Sequence, residues 1–215
     1  SIGALEKSAW ACERSGLERA GVVRLRRRPK VAEKMSEASA AAGGNLSSYA
    51  KHHLMSQLAE LKKSPPDNVS IGLHEDQLHI WECMFMGPNG SLYEGGFFKA
   101  LLEFPPDYPN NPPKMRFVTP ILHPNVYPDG KVCISILHPP GEDKFNEQES
   151  ADERWRPILG VEAVLISVLS MLTDDEPNLD SPANIDAAKL YREDIKAYKK
   201  QVRRMTQRSA ESYFD

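Results

Sequence analysis

Late in the chain six apolar residues, Val161, Val164, Leu165, Val168, Leu169 and Leu172, recur at spacings of three and four. That period is the signature of a helix, and because its other faces carry few charges it predicts a helix buried at the centre of a domain. Pro157 and Gly160 lead into it, and the polar stretch 174–182 ends it. Upstream, Leu54, Leu58 and Leu61 predict a shorter helix starting near Ser47 and stopped by Ser64, Pro65, Pro66 and Asp67. Between the two lie four alternating or apolar runs, 69–73, 78–86, 97–104 and 114–117, separated by turn clusters such as Gly87-Pro88-Asn89-Gly90. Strands joined so closely form an antiparallel meander. Residues 184–214 are helical and charged, with a break expected near Ala197. The order predicts an α+β domain: an N-terminal helix, a four-stranded antiparallel meander, a loop region, the central buried helix and C-terminal helices.

The 215 residues, 40% of them hydrophobic, suffice for one domain with a core of its own. Residues 1–47 differ in texture, with a basic cluster (Arg24, Arg26, Arg27, Arg28, Lys30) and an Ala/Ser/Gly tract that has little to bury. They read as a flexible extension, the domain occupying 48–215, and the cluster as a solvated charge run rather than a nucleic-acid or nuclear-import patch. Ala9-Trp10-Ala11-Cys12 could form a short helix within it. The 27 basic and 30 acidic residues nearly cancel, so overall charge argues for neither nucleic acid nor a membrane surface as partner. Cys12, Cys83 and Cys133 lie far apart without CxxC pairs, which excludes a disulfide framework and a thiolate zinc site and points to a reducing compartment. No run approaches the roughly 20 apolar residues of a membrane span, and residues 1–21 lack the apolar stretch of a signal peptide. A cytosolic protein is expected, with no membrane insertion and no bound metal.

One segment carries a chemical signature. His123-Pro124-Asn125 is followed by Val126, Tyr127, the turn Pro128-Asp129-Gly130, Lys131, Val132 and Cys133, so a carboxamide stands eight positions before a thiol. Pro128 fixes φ and Gly130 supplies positive φ, which lets the chain double back and bring Cys133 towards Asn125. An asparagine N–H can stabilise an oxyanion formed at such a thiol. Taken alone, the apolar run from Val132 to Leu137 fits a buried packing cysteine better.

The HPN tripeptide with Cys at this offset resembles the active-site signature of the ubiquitin-conjugating enzymes. Further stretches match in order: Gly87-Pro88 with Tyr93-Glu94-Gly95-Gly96-Phe97; Phe104-Pro105-Pro106-Asp107-Tyr108-Pro109 with Pro112-Pro113; and Trp155 with Pro157 before the central helix. The resemblance covers about residues 48–209. Within it Tyr93, Gly95 and Gly96 are turn and packing residues, Trp81 and Trp155 core, Cys83 a packing residue, and His123, with Pro124, holds the loop without acting as a general base.

Trp155 lies 22 positions after Cys133, where a minimal family member has about eight, leaving an insertion of about 14 residues. The inserted stretch, about 139–154, contains Glu142, Asp143, Glu147, Glu149, Asp152 and Glu153. It is similar to the branch that builds degradation-signalling chains, including those of endoplasmic-reticulum quality control, as are Cys-Ile-Ser-Ile-Leu-His-Pro-Pro-Gly-Glu-Asp after the thiol and Ser181-Pro182-Ala183-Asn184-Ile185-Asp186-Ala187. The bland alternative is an ordinary solvated loop.

The resemblance implies that an activating enzyme, which consumes ATP, passes ubiquitin as a thioester to Cys133, and that a lysine amine then attacks the carbonyl. No cofactor is bound. Asn125 would donate to the oxyanion or hold the loop that does. Asp180 and Ser181 are candidates for the gate that orients the lysine, in a segment that runs two residues longer than usual over 173–176, and the insertion's carboxylates would steer the acceptor. Lys51, Lys62 and Lys63 on the first helix would meet the activating enzyme. Asn110 and Asn111, where many relatives carry a bulky apolar residue, and Pro157 and Ile158 would face a RING-type ligase. The expected location is the cytoplasm, with recruitment to the cytosolic face of the endoplasmic reticulum or entry to the nucleus. Alternatives are a catalytically silent binding module of the same fold, a conjugating enzyme for another ubiquitin-like modifier, or a cysteine hydrolase. The last needs a histidine base with an orienting partner beside the thiol, and among six histidines only His123 and His138 lie nearby in sequence.

Overall fold

The computed structural model describes residues 46–141 and 149–214. The extension, with its basic cluster and the short helix expected at Ala9–Cys12, lies outside the described residues save Leu46 and Ser47, as do Glu142, Asp143 and Glu147.

Helix α1 spans Ser48–Lys63. The Ser47 hydroxyl accepts from the Ala50 N–H at 3.0 Å, satisfying one of the free donors of the first turn. Lys62 and Lys63 stand in the last turn, where a positive charge complements the helix dipole. Ala50, Leu54, Leu58 and Leu61 form its buried face, which packs on the first two strands. Each fully buried leucine contributes about 2 kcal/mol.

Strands β1 (Val69–His74), β2 (Gln77–Met86), β3 (Phe97–Glu103) and β4 (Lys114–Phe117) form one antiparallel sheet in sequential order. Alternation along β2 sends Trp81, Cys83 and Phe85 inward and leaves Glu82 and Met84 only part-buried. Register places Trp81 opposite Leu73 and Leu102, so one row of large side chains crosses three strands. The expected strand runs match these bounds to within one residue at each end.

After β4 a loop leads to a single 3-10 turn, Ser135–Leu137, and then to α2, Val161–Thr173. Val161, Val164, Leu165, Val168 and Leu172 of α2 join Trp81, Phe85, Leu102, Met115 and Trp155 in one core. The helix is not apolar to the core on every side: Ile166 is 51% exposed and Ser170 faces solvent. Helices α3 (Ile185–Glu193) and α4 (Ile195–Phe214) complete the chain, α4 packing on β3. The break falls at Asp194, three residues before Ala197, because Asp194 serves both helices. Its N–H donates to the Leu190 carbonyl and its carboxylate accepts from the Ala197 N–H at 2.9 Å. No helix among the described residues is long and apolar enough to cross a membrane.

Candidate active site

The doubling-back expected of 125–133 is present. The Gly130 N–H donates to the Tyr127 carbonyl and the Tyr127 N–H to the Lys131 carbonyl, both at 2.8 Å, with Gly130 at φ +91°. A Cβ at that glycine would stand 2.2 Å from the Phe117 carbonyl oxygen, so the turn requires glycine twice over. Val126 then pairs with Val132, and the Cys133 N–H donates to the Asn125 carbonyl at 2.9 Å. The backbones of the two residues are thereby joined.

His123 is 2% exposed, and its Nδ1 accepts from the Asn125 N–H at 2.9 Å. An acceptor nitrogen is unprotonated, so the ring is neutral. Burial pushes its pKa down to about 4, against the opposing pull of the Met171 carbonyl and Asp174. His123 thus has the geometry of a loop support. Pro124 is buried, and its carbonyl accepts from the Asn184 N–H at 2.8 Å, which ties the HPN stretch to the start of α3. Asn184 also caps that helix through Ala187.

The Asn125 carboxamide donates its N–H to the Asn178 carbonyl at 2.9 Å. In this state it holds the segment after α2. That segment carries Asp180 and Ser181, both exposed, and both line one groove of about 340 Å³ with Asn125 and Cys133. At the start of the segment Asp174 accepts from the Glu176 N–H at 2.9 Å, and the Tyr191 hydroxyl of α3 donates to the Asp175 carbonyl at 2.8 Å.

Cys133 is half-buried and lines the groove, so the apolar run does not hide it. Its Sγ lies 3.5 Å from His138 Nε2. His138 Nδ1 in turn contacts both oxygens of Glu149, at 2.7 and 2.9 Å, and the second oxygen receives Arg154 at 2.6 Å. The thiol pKa is held below its ordinary value, first by the hydrogen bond from His138 and then by its charge, with Tyr127 and Lys131 adding to it against the cost of burial. Reciprocally the imidazole pKa is raised, first by Cys133 and then by Glu149. Cys83 is the opposite case: fully buried in β2, its thiol is pushed up to about 12 by desolvation. Cys12 lies outside the described residues.

This line of four residues revises the expectation for Glu149. Read as one of a set of solvated, acceptor-steering carboxylates, it is instead 6% exposed at its side chain and engaged by His138 and Arg154. Burial opposes its ionisation, but Ser135, His138 and Arg154 together hold its pKa below the usual value. Asp152 and Glu153 are exposed as expected. Both ends of the insertion are pinned together, because the Trp155 N–H donates to the His138 carbonyl at 3.2 Å.

The expected partner surfaces separate into two places. Lys51, Lys62 and Lys63 are exposed on α1. Asn110, Asn111, Pro157 and Ile158 are exposed on two loops joined where the Trp155 indole N–H donates to the Pro109 carbonyl at 2.7 Å, and Ile158 is 87% exposed. Among the described residues no group of three or more His, Cys, Asp or Glu side chains is arranged to hold a metal ion. In the sequence His138 entered only as a nearby histidine for the hydrolase alternative, and Arg154 had no role. A histidine five positions after the thiol was a visible signal for the first; nothing local marked the second.

A sheet flanked by helices, with a half-buried thiol backed by an asparagine loop, is the arrangement the family resemblance requires. The family model described as ubiquitin-conjugating enzyme matches residues 53–206. Ubiquitin-conjugating enzyme E2 15 of Schizosaccharomyces pombe is 55% identical over 166 residues, covering 77% of this chain and 98% of that protein. The probable ubiquitin-conjugating enzyme E2 7 of Caenorhabditis elegans is 52% identical over 159 residues, covering 74% and 95%. Ubiquitin-conjugating enzyme E2 G2 of Homo sapiens is 46% identical over 157 residues, covering 73% and 93%. The chain belongs to the ubiquitin-conjugating enzyme family and is an acyltransferase of ubiquitin conjugation.

Proposed function

We propose that Cys133 is the residue that accepts ubiquitin from an activating enzyme as a thioester, and that the enzyme passes it to lysine amines in chains that signal degradation. The observation that carries the site assignment is the contrast between thiols: Cys133 opens on the groove with its pKa depressed, while Cys83 is sealed in the sheet with its pKa raised. Asn125 serves transfer by donating to the oxyanion or by holding the gate segment. Asp180 and Ser181, which line the groove, orient the incoming amine. The basic face of α1 meets the activating enzyme, and the two loops bridged by Trp155 meet a RING-type ligase. The acidic insertion supports a role in degradation-signalling chains, including those made at the cytosolic face of the endoplasmic reticulum.

The Cys133, His138 and Glu149 line also meets the geometric needs of a cysteine hydrolase, so the two activities are worth separating directly. The protein is incubated with activating enzyme, ATP and ubiquitin and resolved with and without reductant. A conjugating enzyme shows a reductant-sensitive adduct that discharges to added lysine. A silent module shows none, and a hydrolase shows none while releasing ubiquitin from preformed esters.

A further inference from the structure

We propose that His138 is the general base for the attacking amine in the discharge step, with Glu149 and Arg154 as the residues that position it. The inference rests on Cys133 being the thioester site and extends that reading. Once Cys133 is acylated, the carbonyl carbon is bonded to Sγ. A nitrogen 3.5 Å from Sγ then lies within reach of the N–H protons of an amine attacking that carbon. Aspartate and asparagine on the gate segment can orient an amine by accepting from it, but a base that takes its proton at neutral pH must titrate near neutrality, as imidazole does at about 6.5.

The second observation is how fully the ring is fixed. Nδ1 faces a carboxylate whose two oxygens are 2.7 and 2.9 Å away, and that carboxylate is locked by Arg154, itself buried. The ring is therefore aimed, with Nδ1–H on Glu149 and Nε2 turned to the sulfur. Its main chain is held as well, through the Trp155 N–H. The other titratable groups facing it across the groove are Glu153 from the insertion, Asp174 and Asp180 from the gate segment, and the neutral His123.

The proton and electron balance closes over one turnover. In the resting enzyme Cys133 and His138 share one proton; with that proton on the ring, the sulfur attacks the activating enzyme's thioester, whose own thiolate leaves. With Cys133 acylated the imidazolium has lost the sulfur anion, though not Glu149, and releases its proton to solvent. Neutral His138 Nε2 takes one proton from the lysine ammonium, the freed lone pair attacks the carbonyl carbon, and the second N–H proton leaves to solvent. The C–S bond then breaks with its electron pair on Sγ, and the thiolate is left beside the imidazolium, the pair sharing one proton as at the start.

Parent, His138→Gln and Glu149→Gln proteins are charged to completion with excess activating enzyme. Discharge is followed in a single turnover to free lysine and to hydroxylamine, which is already unprotonated at neutral pH. The parent rate to lysine rises with pH through an inflection set by the imidazole. His138→Gln loses that inflection and about 10² to 10⁴ in rate, while its discharge to hydroxylamine changes far less. Glu149→Gln keeps the inflection but moves it to lower pH, because the carboxylate that favoured the imidazolium is gone. His138→Gly with added imidazole recovers part of the lost rate. A parent-like rate and pH profile for His138→Gln, or equal losses to lysine and hydroxylamine, overturns the assignment of a base. Failure of the parent protein to form any thioester overturns the Cys133 reading instead.

Discussion

Asn125 sits at the junction of two tasks, since its carbonyl anchors Cys133 and its side-chain N–H reaches the Asn178 carbonyl. Only the second contact is lost on truncation. Thioester exchange expels a good thiolate and makes little demand on an oxyanion donor, whereas aminolysis makes a large one. Asn125→Ala should therefore load almost normally and discharge to lysine about 10² to 10³ more slowly. Equal single-turnover discharge rates for variant and parent would remove Asn125 from the mechanism. At this scale the turn that joins Asn125 to Cys133, with its glycine, was legible in the sequence, because it is local in the chain and each turn residue carries a conformational reason. The partnership of His138 with Glu149 was not, since eleven positions separate them. Arg154 was equally hidden, as a charged residue next to a tryptophan does not announce that it will be buried.

The meander and α1 were legible element by element because alternation, turn residues and caps act over a few positions. The boundary at Asp194 was placed late, because one aspartate capping two helices looks like any charged residue in a charged stretch. The insertion shows the limit most clearly. As a run of carboxylates it reads as uniformly solvated, yet its described end splits into Glu149, nearly buried, and Asp152 and Glu153, both exposed. Different consequences follow for the two kinds. Asp152→Asn with Glu153→Gln should leave the melting temperature and thioester loading unchanged and reduce ubiquitin-to-ubiquitin transfer. The reduction should be greatest at low salt, where charges act over about 30 Å at 0.01 M compared with about 8 Å at physiological ionic strength. Free lysine, which docks no protein surface, should be affected less. Unchanged chain synthesis at both salt levels would identify these two residues as merely solvated.

For the molecule as a whole, the buried neutral His123 couples folding to acid. Its pKa is about 4 in the folded state and about 6.5 when unfolded, so the unfolded chain takes up a proton that the folded one refuses. Stability from this group is complete above about pH 6.5 and is lost as pH falls towards 4, by about 3 kcal/mol at the limit. Melting temperature should fall across that window, and His123→Asn should flatten the fall even if it lowers stability at neutral pH. An unchanged slope would mean that carboxylates elsewhere dominate acid unfolding. The same whole-molecule view frames the choice among three thiols, which the sequence left to resemblance; of the two described, burial and charge separate Cys133 from Cys83. The most direct measurement replaces Cys133 with serine, so that any transferred ubiquitin is trapped as a stable ester. After charging with activating enzyme, ATP and ubiquitin, the protein is digested and the base-labile ubiquitin remnant is located by mass spectrometry. The ester is expected at position 133. An ester at any other position, or a reductant-sensitive thioester that persists in Cys133→Ala, would contradict the account.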